Sequence, residues 1–156
     1  PGRHHHGVPS LAPADGRGTG RIHYQGFGLA VGRASDQFHL ALGSSGSVLL
    51  SGLSRSEVEH VLERAPEECW SHQDRAEVGK RLAQLQAQGW CADLGTYRPS
   101  CHAISAPLHN ARGEVVAAMT IIGFPQDLPP HQLAGAVKLL LDAARQAERR
   151  LRKAVP

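Results

Sequence analysis

Two apolar runs joined by a polar turn dominate the pattern of hydrophobic and polar positions in the second half of the chain. Residues 101–108 carry small and apolar side chains, residues 109–113 are polar and end in glycine, and residues 115–122 are rich in β-branched side chains. Two such runs joined by a short turn containing glycine predict a β-hairpin. The second run is apolar almost throughout, with Thr120 as its one polar residue. We therefore expect both of its faces to be covered, one of them by helices.

Helical periodicity and capping signals predict four helices around this hairpin. They cover residues 47–53, 54–65, 74–88 and 129–153. Ser54 and Glu57 have the spacing of a capping box, and Gly89 follows the third helix as a C-terminal stop. Short strands are expected ahead of the helices, within residues 21–31 and 38–42. Strands, then helices, then a hairpin and a last helix predict the α+β class, with helices packed on at least one face of a sheet.

The first 20 residues differ from the rest in composition. They are mostly glycine, proline and polar residues without periodicity. We expect residues 1–20 to be a disordered tail or linker and residues 21–153 to form the ordered domain. His4, His5 and His6 lie in this tail, and a flexible or vector-derived segment explains them better than a metal site.

Charge and cysteine content exclude several classes of function. The chain has 156 residues and a formal net charge of +3, which suits one domain and gives little support for nucleic-acid binding. The 3 cysteines lack Cys-x-x-Cys spacing, which argues against a disulfide framework and favours a reducing cytoplasm. No apolar run reaches transmembrane length, and the N-terminus has no apolar secretion signal. We therefore expect a cytoplasmic protein without membrane attachment, cofactor or metal.

Five polar side chains are candidates for binding a small molecule. Ser44 and Ser45 precede a predicted helix, where free N–H groups suit an anion, although an ordinary helix cap explains them as well. Asp93 lies in a predicted loop, where it either accepts a hydrogen bond from a ligand or caps a turn. Cys101 is either a pocket wall or a buried structural thiol. Thr120 bonds either a ligand or its strand neighbours.

The order of these segments resembles the effector-binding domain of IclR-type transcription regulators, which has a GAF-like fold. The most specific stretch, SCHAISAPLHNARGEVVAAMTIIGFP, is similar to the Cys-x-Ala-x-x-Ala-Pro strand, turn and second strand of that family. The other similar stretches are VGRASDQFHLALGSSGSVLLSGL, LAQLQAQGWCAD and LLLDAARQAERRL. The resemblance covers about residues 21–151. It implies a GAF-like antiparallel sheet with helices on its faces and a long C-terminal helix.

The resemblance also implies a function and a set of binding residues. Such a domain senses a small organic acid and controls a DNA-binding winged helix, a segment that this chain does not show. The implied ligand contacts are Ser44, Ser45, Asp93, Cys101, Thr120 and Ile122. Ile122 is apolar where the family often has a hydroxyl group, which favours a larger, partly apolar acid, aromatic acids included, over glyoxylate.

Two further classes of function stay open. An enzyme that uses Cys101 would need His39 or His109 as its base, because Cys101 and His102 are adjacent on a strand and point to opposite faces. A module that only dimerises, through its sheet or its last helix, is the other. The resembled family forms dimers and tetramers through this domain, so we expect a homo-oligomer, which would also cover exposed strand edges.

Overall fold

The structure is a computed structural model that describes residues 10–12, 19–23 and 37–154. Its strands are β1 (Ser10–Ala12), β2 (Thr19–His23), β3 (Gln37–His39), β4 (Cys91–Leu94), β5 (His102–His109) and β6 (Val115–Gly123). Its helices are α1 (Gly43–Leu50), α2 (Arg55–Glu63), α3 (Arg75–Gln88) and α4 (Leu133–Ala154). Short 3-10 helices cover Glu67–Trp70 and Pro130–Gln132. The predicted α+β class is confirmed.

The predicted tail over residues 1–20 lies mostly outside the described residues, and so does its histidine run. Strand β1 and the start of β2 are the parts of it that the structure describes. Most of the strand region predicted over residues 21–31 also lies outside them. The proposed domain boundary near residue 21 therefore stays a prediction.

The described strands form two antiparallel sheets of three strands each, in the orders β1-β2-β3 and β4-β5-β6. Strand β1 lies next to β6. The predicted hairpin is β5 and β6, and its turn contains Gly113 at a φ of 79°. This φ lies in the left-handed region, which glycine adopts without the steric cost that a side chain would bring.

Both faces of the β4-β5-β6 sheet are covered, as the apolar run over residues 115–122 predicts. One face packs against α1 and α3 through a core that includes Val48, Leu50, Val78 and Ala118. The other packs against α4 through a core that includes Ile104, Ala106, Met119 and Leu140. Ala118 and Met119 thus point to opposite faces, as adjacent residues on a strand must.

Helix α4 is anchored to the hairpin near its basic end. Glu148 Oε1 accepts a hydrogen bond from His109 N at 2.8 Å and lies 2.8 Å from His109 Nδ1. The side chain therefore holds the last residue of β5 by both its backbone and its ring. No helix in the described segments combines the length and the apolar character that crossing a membrane requires.

The capping signals of α2 and α3 are confirmed. Ser54 Oγ accepts from Glu57 N at 3.3 Å, and Glu57 Oε2 accepts from Ser54 N at 2.7 Å, which completes the capping box. Asp74 Oδ1 accepts from Glu77 N at 2.9 Å and caps α3. At the other end of α3, Gly89 has a φ of 76° and ends the helix. Residues close together in the sequence therefore determine where α2 and α3 begin and where α3 ends.

Two predictions that concern the candidate site are wrong. Helix α1 begins at Gly43 and not at residue 47, so Ser44 and Ser45 belong to its first turn instead of a preceding loop. The positive φ of Gly43, 61°, turns the chain directly into the helix. Asp93 lies in strand β4, where it pairs with Ala103, and not in a loop. Four residues are too few to display the alternation that identifies a strand in a sequence.

Replacement of Gly46 by alanine tests the close approach of α1 to the preceding chain. A Cβ at Gly46 would lie 2.3 Å from Leu40 O, so the backbone of one of the two must shift. We expect Gly46→Ala to lower the free energy of unfolding by about 1–3 kcal/mol, the usual cost of overpacking. In α3, Gly79 has no atom within 4 Å of the equivalent position. Gly79→Ala should therefore raise the free energy of unfolding by about 0.5–1 kcal/mol. Urea unfolding followed by circular dichroism measures the free energy of unfolding of both variants. Equal values for Gly46→Ala and Gly79→Ala would contradict the close approach of α1 to Leu40.

Candidate functional site

Four hydroxyl groups meet between the first turn of α1 and strands β5 and β6. Ser105 Oγ lies 2.8 Å from Ser44 Oγ and 2.9 Å from Thr120 Oγ1. Ser45 Oγ lies 2.9 Å from Thr120 Oγ1 and 3.5 Å from Ser105 Oγ. Ser44, Ser105 and Thr120 are buried, whereas Ser45 is partly exposed. This hydroxyl cluster ties α1 to the sheet, and Ser45 is its member nearest to solvent.

The register of the sheet explains why these groups meet. Ser105 pairs with Cys91 on β4 and with Thr120 on β6, so the three side chains form one row across the sheet. We call Cys91, Ser105 and Thr120 the first row. The Cys91 thiol lies 3.5 Å from the backbone oxygen of Ser44, so α1 covers this row from end to end. Burial raises the pKa of Cys91 to about 12, and its thiol is uncharged at neutral pH.

A second row lies two residues further along each strand and consists of Asp93, Ala103 and Ile122. Residues two apart on a strand share a face, so this row lies on the same side of the sheet as the first. Helix α1 covers it less: Ile122 is 40% exposed and Ala103 is partly exposed. Because the side chain of alanine is only a methyl group, the side chain in the middle of the second row is the shortest of the three. Asp93 and Ile122 stand at its two ends.

The beginning of α1 lies beside the Asp93 end of the second row. A side chain built on Gly43 would start 3.7 Å from Asp93 Oδ2 and 3.7 Å from the Tyr97 ring. The N-cap residue, Leu42, makes no side-chain hydrogen bond to the helix, and the first turn has no acidic residue. The positive end of the α1 dipole is therefore not neutralised by its own side chains. An anion placed over Ala103 would lie near this helix end.

Asp93 is engaged by the protein itself. Its Oδ1 accepts from Thr96 N at 2.8 Å and from Tyr97 N at 3.2 Å, and its Oδ2 accepts from Tyr97 N at 3.3 Å. Asp93 Oδ2 also lies 3.5 Å from Arg81 Nη1, and both side chains are buried. The carboxylate thus caps the turn after β4, one of the two roles predicted for it.

Arg81 joins Asp93 to α1 and to the chain before it. Its Nε donates to Ser47 Oγ at 2.9 Å, and its Nη2 donates to Gln73 Oε1 at 2.7 Å. Ser47 Oγ in turn donates to the backbone oxygen of Gly43 at 3.0 Å, and Gln73 Nε2 donates to that of Ala41 at 2.6 Å. Only 3% of Arg81 is exposed, and this burial lowers the pKa of its guanidinium while the charge of Asp93 opposes the shift.

Sequence reasoning missed Arg81, Gln73 and Ser105. For Arg81 a signal was present, because it lies three residues after Val78 and four before Leu85. Both of those residues belong to the apolar stripe of α3, and positions with this spacing share one helix face. A charged residue inside an apolar stripe indicates a buried charge that needs partners. Ser105 gives no such signal, because its role depends on the register of three strands.

Cys101 lies just before β5 and is partly exposed. Burial raises the pKa of its thiol, the Asp93 charge acts in the same direction, and Arg98 opposes both. Less of this thiol is therefore ionised at neutral pH than of an ordinary cysteine. His109 lies at the far end of the eight-residue β5 and cannot serve as its base. His39 Nδ1 accepts a hydrogen bond from Ala41 N at 3.2 Å.

Of the six sequence-predicted ligand contacts, the structure brings Ser44, Ser45 and Thr120 together in the hydroxyl cluster. Asp93 and Ile122 occupy the two ends of the second row. Within the described part of the chain, no three His, Cys, Asp or Glu side chains are arranged to hold a metal ion. The histidines at residues 4–6 lie outside that part.

Comparisons with known proteins agree on the kind of domain. The sequence profile of the family described as "Bacterial transcriptional regulator IclR C-terminal" matches residues 29–149. No curated protein sequence matches the chain. The structure of HmgR from Pseudomonas aeruginosa is similar, with 27% identity and a TM-score of 0.71, over 93% of this chain and 59% of that one.

Two further structures share the fold at lower identity. IclR from Thermotoga maritima has 17% identity and a TM-score of 0.73, over 93% of this chain and 61% of that one. A double mutant of the inducer-binding domain of the PobR transcription factor from Acinetobacter, in complex with 3-hydroxybenzoic acid, has 19% identity and a TM-score of 0.69. That match covers 90% of this chain and 87% of the PobR domain. The chain thus spans about three fifths of the two longer regulators.

Removal of the central hydroxyl group tests the hydroxyl cluster. In Ser105→Ala the buried hydroxyl groups of Ser44 and Thr120 lose a shared partner, which should lower the free energy of unfolding by about 1–3 kcal/mol. Ser71→Ala removes an exposed hydroxyl group and is the matched control, with an expected change within about 0.5 kcal/mol. Urea unfolding measures both variants. Equal stability of the two would mean that the cluster does not hold α1 to the sheet.

Proposed function

Because the chain belongs to the family of bacterial transcriptional regulators defined by the IclR C-terminal domain, we propose that it senses a small organic acid. Binding of the acid then controls a DNA-binding winged-helix domain that is not among the described residues. The ligand class is supported by a double mutant of the PobR inducer-binding domain, whose structure was solved with the aromatic acid 3-hydroxybenzoic acid. We also propose that the protein is located in the cytoplasm, where such a regulator acts on DNA.

One observation carries this proposal: the beginning of α1 has no side-chain cap, and it lies beside the second row, in which Ala103 is partly exposed and Ile122 is 40% exposed. In the proposed arrangement the ligand carboxylate lies at the first turn of α1 and accepts hydrogen bonds from the N–H groups of Ser44 and Ser45. The hydroxyl group of Ser45, the partly exposed member of the hydroxyl cluster, adds a further donor. Helix N-termini favour carboxylates through these free N–H groups and through the helix dipole.

The rest of the ligand extends over Ala103 towards Ile122. Thr120 supplies a polar group beside this path and Ile122 an apolar one. Cys101 and Asp93 complete the polar end as parts of its wall. A two-carbon acid would leave the apolar surface of Ile122 in water, whereas an aromatic or branched body would cover it. The site therefore favours acids with an apolar body, because each buried CH₂-sized group contributes about 0.8 kcal/mol.

The alternative of an enzyme that uses Cys101 has less support. A thiol needs its ionised form to act as a nucleophile, and the pKa of Cys101 is raised by burial. His109, one of the two bases considered for it, is bound to Glu148 at the opposite end of β5. A sensor needs no ionised thiol at this position, and an uncharged cysteine suits a pocket wall.

A thermal-shift series of carboxylic acids tests the proposal. We expect 3-hydroxybenzoate and phenylpropionate to raise the melting temperature more than glyoxylate and pyruvate at the same concentration and pH, because binding to the native state stabilises it. The strongest ligand is then titrated by calorimetry into wild type and into Ser45→Glu. The added carboxylate should abolish acid binding, since it puts a like charge at the ligand position.

Ser71→Glu adds the same charge at an exposed site and should bind the acid like wild type. If Ser45→Glu binds as well as this control, the ligand carboxylate does not lie at α1. If glyoxylate or pyruvate raises the melting temperature most, the apolar character assigned to the Ile122 end is wrong.

We also propose that the chain forms a homo-oligomer, a dimer or a tetramer. Leu139 on α4 is 68% exposed and Phe124 after β6 is 44% exposed, and a contact between copies would remove these large apolar side chains from water. Light scattering across a wide concentration range should give a mass above that of the monomer. A strictly monomeric mass over the whole range would contradict this proposal.

A further inference from the structure

Arg81 and Asp93 place one positive and one negative charge inside the protein, beside the beginning of α1. We propose that this buried pair sets how strongly the site prefers an acid to its uncharged analogue. Arg81 supplies the positive charge that offsets a bound carboxylate, and Asp93, the counter-ion of Arg81, limits that preference. This inference rests on the proposed function, because it concerns the charge of the ligand bound at the same site.

The position of the Arg81 charge is fixed. Its guanidinium donates to Ser47 and Gln73, and Nη1 lies 3.5 Å from Asp93 Oδ2. Arginine stays protonated in proteins, so these contacts hold a permanent charge in a place from which water is excluded. Through Ser47 the guanidinium is two hydrogen bonds away from the backbone oxygen of Gly43, where α1 begins. A positive charge there attracts an anion at the first turn of α1 more strongly than it would in water.

Asp93 acts in the opposite direction. Its two oxygens already accept from the N–H groups of Thr96 and Tyr97 and pair with Arg81, so the carboxylate does not need a donor from a ligand. It lies close to Gly43, on the side where the ligand carboxylate is proposed to bind. Two carboxylates near one another repel, and this repulsion cancels part of the attraction by Arg81.

The neighbouring ionisable groups on the packed elements do not alter this balance. On α3, Glu77 is paired at 2.6 Å with Lys80, whose side chain is 72% exposed. On β4, the Cys91 thiol has its pKa raised to about 12 by burial and carries no charge at neutral pH. Arg98 after β4 is exposed, where water and salt screen its charge. The Arg81–Asp93 pair, whose charges nearly cancel, and the dipole of α1 therefore determine how strongly a charged ligand binds relative to an uncharged one.

The test compares an acid with its own carboxamide, which has nearly the same shape and no charge. The probes are 3-hydroxybenzoate and 3-hydroxybenzamide, or the strongest acid of the thermal-shift series and its amide. Calorimetry gives the ratio of acid affinity to amide affinity for wild type, Asp93→Asn, Arg81→Gln and the double variant. The ratio cancels any loss of packing that weakens both probes equally.

We expect opposite changes in the two single variants. Asp93→Asn should raise the acid-to-amide ratio on the order of tenfold, because Arg81 is left without its counter-ion. Arg81→Gln should lower it by a similar factor of about ten, because Asp93 is left uncompensated. The double variant should return towards the wild-type ratio, and Arg81→Lys, which keeps the charge, should stay near it.

Arg149, which is exposed, and Asp142, whose side chain is 44% exposed, provide matched controls on α4. Asp142→Asn and Arg149→Gln remove the same charges at the surface and should leave the ratio unchanged. If Arg81→Gln does not fold, Asp93→Asn decides alone, because asparagine keeps an acceptor oxygen for the N–H groups of Thr96 and Tyr97.

Each adverse result has a distinct meaning. A lower ratio in Asp93→Asn would overturn the inference, because the negative charge of Asp93 would then favour the acid over its amide. Equal weakening of both probes in Arg81→Gln would also overturn it and leave Arg81 a purely structural role. If wild type binds acids but neither single variant changes the acid-to-amide ratio, this inference is wrong and the proposed function still stands. A wild-type chain that binds no acid defeats the proposed function together with it.

Discussion

The contact of α1 with the sheet is the constraint on which the rest of the structure depends. Ser44 ties the helix to the sheet through Ser105 in the buried hydroxyl cluster, and Gly46 lets the helix backbone approach Leu40 in the chain just before it. Arg81 then holds α3 to α1 through Ser47. A buried hydroxyl group without a partner costs free energy, so the cluster is stable only when both sides are present. The position of α1 on the sheet therefore places its first turn beside the second row.

Sequence patterns predicted the parts of this fold that local signals determine. The hairpin, the capping box at Ser54 and the glycine stop at Gly89 each depend on residues close together in the chain, and each is found where it was expected. The start of α1 and strand β4 depend on distant partners and were missed. Glycine and serine have weak helix propensity, so the first turn of α1 looked like a loop until its packing was known.

The candidate site shows the same division between local and long-range information. Ser45 and Thr120 attract notice as polar residues beside apolar segments, and their hydroxyl groups do meet. Ser105 looked like an ordinary small strand residue, because only the pairing of three strands places it at the centre of the hydroxyl cluster. Arg81 was visible as a charge in an apolar stripe, yet its counter-ion, Asp93, is 12 residues away on another element. Contacts between elements that are distant in the chain are the feature that a single sequence predicts least well.

Ala103 and Ile122, the two more exposed members of the second row, belong to neither buried core of the domain. The first row carries the contacts that hold α1, and Asp93 in the second row is buried against Arg81, whereas Ala103 is partly exposed and Ile122 is 40% exposed. Substitutions at these two positions can therefore accumulate over evolution at low cost in stability, because exposed positions tolerate most changes. A domain built in this way can acquire new effectors through changes at Ala103 and Ile122, while the first row and the Arg81–Asp93 pair keep it folded. Stability and specificity are then heritable traits that vary independently.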